Sequence, residues 1–419
     1  MHAQTTGPDG YGVINSPEGF TANFEPKLAL KPGDLPHGVV PNDVLGFYEP
    51  SDLPFYGYLA ENYAYCDRYY CSHPGPTLPN RMFSLTGDLQ HDRYGFPILD
   101  NNTGDNFLLS RAPTIYDMLT RKGVSWRVYE SAPSVSMLRM FARYATNNTD
   151  ILPLGSSDDP FVKLRRDVAT NNLPAFTTIE PAMHHHPQND DHPDADMYRG
   201  QIFLQEVYNT LRSNPDTWKK TLLIVTYDEH GGLYDHVIPP LADFYSAPIT
   251  QVQGGGDRRR ERPGDIVLGG QTPTTTSENP AASDATPPRG ATSLKVHYGV
   301  RVPTFVISPW TTPGKGPSIT LDHCSILKTV LARFLGAEKP FLSDRVNASQ
   351  SFNSFLTGLA PRMNVPAPPQ LQTNFGPDSR RVAPGASAIV TPPLSRQAMR
   401  DGPVDYHSLS GSVARMLGR

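Results

Sequence analysis

The spacing of apolar residues predicts several helices. Between Leu53 and Tyr65, apolar side chains recur every three to four residues, as they do on the buried face of a helix. Ser325 is expected to cap a later helix, and Gly336 is expected to end it. The same spacing supports one helix with an apolar face of Phe203, Val207 and Leu211 and another with Ile326, Val330, Leu331 and Phe334.

A shorter helix is marked at both of its ends. Thr114 and Asp117 have the spacing of a capping box, and Lys122 followed by Gly123 gives the basic residue and the glycine that often close a helix. Upstream, the proline-rich turn at 72–81 leads into another helix.

Alternating or continuous apolar runs predict strands. VSWRVY at 124–129 alternates as a half-buried strand does, and PAFTTIE at 174–180 is typical of another strand. The uninterrupted run Leu222 to Val225 predicts a central strand buried on both faces, and VPTFVIS at 302–308 follows. Because helices and strands alternate, we expect an α/β fold with a mainly parallel central sheet flanked by helices and long loops.

Composition divides the chain into three parts. Residues 1–45 contain many prolines and no periodicity, and we expect an irregular segment there. The folded domain is expected at 46–360, with a mobile insertion at about 251–291 that is rich in Gly, Pro, Ser and Thr. Residues 361–419 are predicted to form a Pro-rich tail, whose closing segment 407–419 can form a short amphipathic helix.

Charge and composition narrow the class of protein. With 37 basic and 41 acidic residues the chain is nearly neutral, which argues against a nucleic-acid partner. No apolar stretch approaches the roughly 20 residues of a membrane span, and the N-terminus MHAQTTGPDG lacks the features of a signal peptide, so location stays open. The three cysteines of the chain are expected to be reduced. Glycosylation sequons occur at Asn101, Asn147 and Asn347.

The segment VTYDEHGGLYDHV carries the strongest chemical signal. Asp228 and Glu229 follow a predicted buried strand, where ligands bind in open α/β sheets, and they offer oxygen ligands for a divalent cation. His230 and His236 are candidates to orient these carboxylates or to contact a substrate. The alternative is a solvated acidic turn closed by glycine.

A second candidate is the rigid turn CSHPGPTLPNR. It holds Thr77 between a proline and a leucine, with Asn80 and Arg81 close behind. A threonine hydroxyl is a poor nucleophile unless a metal ion or a base removes its proton, so Thr77 requires the predicted cation nearby. The alternative is an ordinary structural turn.

Histidines cluster in IEPAMHHHPQNDDHPDADMYRG. His192 lies in the polar turn NDDHP and is a candidate to neutralise phosphate charge or to protonate a leaving oxygen. The run His184 to His186 is interpreted as a surface stretch with adventitious metal affinity. His323, beside a predicted helix N-terminus, is interpreted as a capping or core residue.

Four segments together resemble the bacterial, fungal and plant phosphoesterase family, which includes nonspecific phospholipases C and acid phosphatases. They are LPFYGYLAENYAYCDRYYCSHPGPTLPNRMFSLTG, NDDHP, TLLIVTYDEHGGLYDHV and GVRVPTFVISPW, and the likeness extends over about residues 45–345. This resemblance implies an alkaline-phosphatase-like α/β sandwich. It also implies metal-dependent hydrolysis of a small-molecule phosphate ester or a phospholipid head group, with phospholipase C activity slightly preferred.

The resemblance also assigns roles to residues. It makes Thr77 the covalent nucleophile and a metal ligand, and it makes Asp228 and Glu229 the carboxylate ligands of a divalent ion of unspecified identity. His192 and His236 are then expected to be catalytic. The predicted substrate contacts are Asn80, Arg81 and His230.

One motif of the family is missing from residues 1–45. Members normally begin with an apolar strand that runs into Glu-Asn-Arg-Ser-Phe-Asp, whose first two residues complete the metal site. Neither Glu18 nor Asn42 follows such a strand, so neither is assigned as a substitute. We therefore expect a truncated chain that is marginally soluble and poorly active alone. Its location stays open, and a truncated N-terminus is compatible with secretion. The alternative function is a catalytically impaired member that binds phosphate esters or acts as an interaction protein. Sulfatase activity is a weaker alternative.

Overall fold

The computed structural model describes residues 44–48, 51–92, 97–101, 109–131, 136–146, 149–183, 188–193, 195–244, 294–336 and 342–371. Most of the predicted irregular N-terminal segment, the insertion, most of the tail, the run His184 to His186 and the sequon at Asn147 lie outside these ranges. None of the helices within them is both long enough and apolar enough to cross a membrane.

The described helices are α1 Pro54–Asn62, α2 Thr77–Thr86, α3 Ile115–Arg121, α4 Val162–Ala169, α5 Met197–Arg212, α6 Pro215–Trp218, α7 His323–Leu335 and α8 Asp344–Ala348. The strands are β1 Ala64–Cys66, β2 Trp126–Glu130, β3 Ile151–Pro153, β4 Phe176–Glu180, β5 Leu223–Thr226, β6 Leu241–Phe244, β7 Leu294–His297, β8 Thr304–Ile307 and β9 Gly314–Lys315. The α/β class predicted from the sequence is therefore confirmed.

Local capping signals predicted the starts of α3 and α7 to within one turn. The Thr114 side chain accepts from the Asp117 amide, and the Asp117 carboxylate accepts from the Thr114 amide, so the predicted capping box of α3 is confirmed. The cap predicted for α7 was wrong by three residues. Asp322 is its N-cap, and Ser325 is the third helical residue, whose hydroxyl accepts from the Asp322 amide at 3.0 Å.

The strands form two larger sheets of different kinds. The order β3-β2-β4 makes a three-stranded sheet that is parallel throughout. The order β5-β8-β1-β9 makes a four-stranded mixed sheet, in which β8 runs antiparallel to both β5 and β1. A mainly parallel central sheet was therefore expected wrongly for the part of the fold that carries β5.

The position of β5 also differs from the prediction. Among the strands that the structure describes, it lies at the edge of its sheet, and Leu223 to Thr226 are each half-buried rather than enclosed on both faces. β4 likewise lies at the edge of the other described sheet, and its residues are half-buried. The apolar run correctly predicts a strand. Whether that strand lies at the edge or in the centre of a sheet depends on its pairing with distant residues.

The two largest apolar clusters among the described residues hold most of the elements together. In the first, α2, α3 and α7 pack against β2 through residues that include Leu78, Phe83, Leu119 and Leu327. In the second, α1 and α5 pack on β8, and half-buried side chains of β4 and β5 border the same cluster. The second cluster thus helps to position the polar residues at the C-terminal ends of β4 and β5. All three cysteines are free.

Candidate active site

Thr77 is the first residue of α2, and its side chain is almost completely buried, with the residue 4 % exposed. The preceding residue, Pro76, has the extended backbone of an N-cap but provides no side-chain acceptor. The free amides and the dipole of a helix N-terminus favour negative charge. The sequence therefore places a hydroxyl at a position suited to an anion.

Asn80 holds the turn that precedes Thr77. Its Oδ1 accepts from the His73 amide at 2.9 Å, and its Nδ2 lies 2.8 Å from the Gly75 oxygen and 3.1 Å from the Pro76 oxygen. The residue is fully buried. Asn80 was predicted to contact substrate, and the structure directs its amide into the turn instead. Its contact with a substrate stays a prediction.

A second support comes from residues 97–101. The Asn101 Oδ1 accepts from the Leu78 amide at 2.7 Å, so Asn101 caps α2 from a segment 23 residues further along the chain. Asn101 is 5 % exposed, and its Nδ2 is buried without a hydrogen-bond partner among the described residues. Sequence reasoning noted this residue solely as a glycosylation sequon.

Asp228 follows β5 and meets α2. Thr77 donates a side-chain hydrogen bond to the Asp228 carboxylate, and the Arg81 Nε lies 3.1 Å from its Oδ2. Burial alone would raise the pKa of this carboxyl, but the Arg81 guanidinium holds it below its usual value. The structure thus brings together Thr77, Arg81 and Asp228, as predicted from separate motifs.

Arg81 also binds a residue that sequence reasoning missed. Its Nη1 donates to the Glu180 Oε2 at 2.8 Å, and its Nη2 lies 3.2 Å from the Met183 sulfur. Glu180 ends β4, and Asp228 follows β5. One guanidinium therefore links the ends of strands from two sheets. This use of its donors differs from the predicted substrate contact of Arg81.

His323 lies beneath Asp228. Its Nε2 donates to the Asp228 backbone oxygen at 2.8 Å, and its Nδ1 lies 3.0 Å from the Tyr69 hydroxyl. Burial lowers the pKa of the ring, so a neutral imidazole with the proton on Nε2 fits both contacts. The core position expected for His323 is found, whereas its contact with Asp228 was not anticipated.

Glu229 and His230 form a separate pair within the same turn. The Glu229 Oε2 accepts from the Gly231 amide at 2.8 Å and lies 3.4 Å from the His230 Nδ1. Gly231 has a φ of 65°, and a Cβ there would lie 2.6 Å from the Pro193 ring. The turn that carries His192 therefore packs closely against the turn that carries the two carboxylates.

Asp191 anchors the turn beside His192. Its Oδ2 accepts from the hydroxyls of Tyr56 and Tyr227, the latter at 2.8 Å. Its backbone is left-handed, with a φ of 59°, and a Cβ on Gly200 would lie 1.8 Å from its Oδ1. Burial raises the pKa of the Asp191 carboxyl to about 6. Sequence reasoning treated this residue solely as part of a polar turn.

His236 lies further out. Its side chain is 79 % exposed, and its Nδ1 is 3.6 Å from the Asp235 Oδ1. Asp235 forms a two-pronged ion pair with Arg301, at 2.6 and 2.8 Å. The structure places His236 on the surface, so its predicted catalytic role finds no geometric support in this arrangement.

The predicted metal ligands are oxygen donors, the kind that a hard cation prefers, but there are too few of them to complete its coordination. Such an ion takes six or more oxygen donors. Within the described residues, no group of three or more histidine, cysteine, aspartate or glutamate side chains is arranged to hold a metal. Arg81 lies on the Asp228 carboxylate, and Glu229 is directed to a backbone amide. The residues described do not complete a metal site.

Comparison with known proteins places the chain in a family. A model of the phosphoesterase family matches residues 17–335. This chain belongs to the phosphoesterase family. The match includes the turn with Thr77 and the segment with Asp228, and it confirms the family predicted from the four sequence segments.

The curated relatives are phospholipases from plants and bacteria. Non-specific phospholipase C5 of Arabidopsis thaliana is 31 % identical over 362 residues, which cover 83 % of this chain and 58 % of the relative. Non-hemolytic phospholipase C of Burkholderia pseudomallei is 31 % identical over 324 residues, which cover 69 % of this chain and 41 % of that protein. The chain thus spans between two fifths and three fifths of the length of these relatives.

Solved structures with a similar arrangement are more distant. One is a Vibrio parahaemolyticus protein of the alkaline phosphatase superfamily, with a TM-score of 0.37 at 13 % identity, covering 72 % of this chain and 65 % of that chain. Another is the lipoteichoic acid synthase LtaP from Listeria monocytogenes, with a TM-score of 0.39 at 12 % identity, covering 73 % of each chain.

Proposed function

We propose that the chain hydrolyses phosphate esters, with Thr77 as the nucleophile and a phosphothreonine intermediate. A phosphodiester with a phospholipid head group is the preferred substrate, and a small-molecule phosphomonoester is the other. The observation that carries this proposal is the buried Thr77 hydroxyl at the N-terminus of α2, hydrogen-bonded to Asp228. The phospholipase C names of the curated relatives support the substrate class.

The reaction would proceed in two displacements. The Thr77 oxygen gives up its proton and attacks phosphorus as the bond to the leaving oxygen breaks. Water then cleaves the phosphothreonine, which releases phosphate or a phosphomonoester and restores the proton on Thr77. The N-terminus of α2 stabilises negative charge on the phosphoryl oxygens. His192 is the predicted donor of a proton to the leaving oxygen.

Asp228 orients the nucleophile. Because Arg81 keeps the pKa of its carboxyl low, Asp228 is a poor base for a hydroxyl proton. Its hydrogen bond with Thr77 fixes the direction of the oxygen, while attack requires additional positive charge nearby. This requirement is the chemical reason for the predicted divalent cation at Thr77, Asp228 and Glu229, which stays a prediction.

A second candidate function has its own support. The pairing of Arg81 with Asp228 favours a member that binds phosphate esters without turnover, because the guanidinium competes with a metal for that carboxylate. Binding without hydrolysis would then use the same N-terminus of α2. The two functions differ in whether a phosphoenzyme forms.

Thr77→Val and Thr77→Ser distinguish them. Valine keeps the shape of threonine and removes the hydroxyl, so turnover of a chromogenic phosphodiester should fall by at least about 10³-fold, as for loss of other nucleophiles. Serine keeps the hydroxyl and should retain measurable turnover. Acid quenching with a labelled substrate, followed by peptide mapping, should find phosphate on residue 77 of the wild type and of the serine variant.

Retained turnover by a folded valine variant would reject Thr77 as the nucleophile. Substrate binding without turnover or labelling in the wild type would establish the second candidate function. Circular dichroism of each variant checks that the fold is kept.

A further inference from the structure

The amide of Asn101 offers more than a helix cap requires. A cap needs an acceptor for an amide of the first helical turn, and the Asn101 Oδ1 meets this need at the Leu78 amide. Aspartate or serine would cap as well without an amide N–H donor. The Asn101 Nδ2 instead remains a buried donor without a partner among the described residues. A buried unpaired donor costs about 1–3 kcal/mol, so its presence calls for a reason.

The position of this donor supplies that reason. Because Nδ2 and Oδ1 share one carbon, Nδ2 lies beside the Leu78 amide, one residue from Thr77 at the N-terminus of α2. The segment that carries Asn101 is held beside this turn, because the Leu99 carbonyl accepts a hydrogen bond from the half-buried His73 ring. A donor held at the positive end of a ten-residue helix matches a phosphoryl oxygen.

We propose that Asn101 Nδ2 donates a hydrogen bond to a non-bridging oxygen of the phosphoryl group attacked by Thr77. This inference rests on the proposed hydrolysis at Thr77. Asn101 would bind the charge that develops on the phosphoryl group, while its Oδ1 holds the helix that carries the nucleophile. Both halves of one amide then serve the same site.

The matched variants are Asn101→Asp and Asn101→Ala. Aspartate keeps the capping oxygen and adds charge that a helix N-terminus tolerates, so the melting temperature should stay close to that of the wild type. It replaces the donor by an acceptor, so orthovanadate should bind at least about 10-fold more weakly and kcat should fall by about 10²-fold. Alanine removes both the cap and the donor, so it should lower the melting temperature and vanadate affinity together.

The outcomes separate the inference from the function beneath it. If Asn101→Asp binds orthovanadate and turns over substrate as the wild type does, the inference fails while hydrolysis at Thr77 stands. If the wild type neither binds orthovanadate nor turns over a phosphodiester, the proposed function fails and takes the inference with it. Should the aspartate variant not fold, Asn101→Ser, which also caps without an amide, gives the same test.

Discussion

Arg81 allows the link between the two sheets to be tested by one substitution. Its guanidinium is paired with Asp228 and Glu180, and the three side chains are 18 %, 23 % and 13 % exposed. Arg81→Met keeps the apolar part of the side chain but removes the guanidinium. The Asp228 and Glu180 carboxylates then lose the cation that pairs with both of them and separates them. The variant should therefore be less stable.

The expected loss lies between two known limits. Breaking a fully buried ion pair costs about 3–5 kcal/mol, and exposed pairs are worth about 0–1 kcal/mol. Because the three paired side chains are about one fifth exposed, Arg81→Met should lower the free energy of unfolding by about 2–3 kcal/mol. At about 2 °C per kcal/mol for a chain of this size, the melting temperature should fall by about 4–6 °C. Urea denaturation followed by circular dichroism measures the free energy directly.

Arg165 provides a matched control. It also pairs with two carboxylates, those of Asp159 and Glu206, but the three side chains are 44 %, 37 % and 33 % exposed. Arg165→Met should therefore cost less than about 1 kcal/mol. Equal losses in the two variants would refute the reasoning, because burial would then not decide the strength of the pair.

The same variant tests the relation between Arg81 and a metal. Without the guanidinium, the Asp228 carboxylate is free to bind a divalent cation, so added Mg²⁺ or Zn²⁺ should raise the melting temperature of Arg81→Met more than that of the wild type. An equal rise in both proteins would show that Arg81 does not compete for this carboxylate.

Two further substitutions and one control variant test the site and its surroundings. Burial raises the pKa of the Asp191 carboxyl from 3.8 to about 6, so its ionisation destabilises the folded chain progressively as pH rises from about 4 to about 6. Asp191→Asn should therefore raise the free energy of unfolding at pH 8 by at most about 3 kcal/mol, with the gain shrinking toward pH 4. A gain that does not depend on pH would contradict this. Asp228→Asn should abolish turnover and weaken divalent-metal binding, whereas His184→Ala should leave both nearly intact. Metal titration and kinetic assays measure the two effects. Equal losses in the two variants would mean that the metal ligands were assigned wrongly.

Features encoded by neighbouring residues could be predicted from the sequence. The capping box of α3 lies within four residues, and Thr77 and Asp228 stand in short motifs beside a helix and a strand. Local hydrogen bonding and apolar spacing determine such features. The type of each element and the main members of the candidate site could therefore be predicted from the sequence.

Features that depend on pairing between distant residues could not be predicted from the sequence. The antiparallel register of β5 joins Leu223 to Ile307, and the ion pair of Arg81 with Glu180 spans 99 residues. The cap of α2 comes from Asn101, beyond the helix that it caps. Apolar periodicity gives the faces of each element but not its partners, so these contacts appear only in the folded chain.

The edge positions of β4 and β5 have a consequence for the exchange of backbone hydrogens. Each strand pairs on one side, with β2 and β8 respectively, and within the described residues neither has a strand on its other side. In an edge strand, amides that point into the sheet are protected, and those that point away can exchange with deuterium without any unfolding. Protection along Leu223 to Thr226 should then alternate from one residue to the next, although this segment leads directly to the candidate active site.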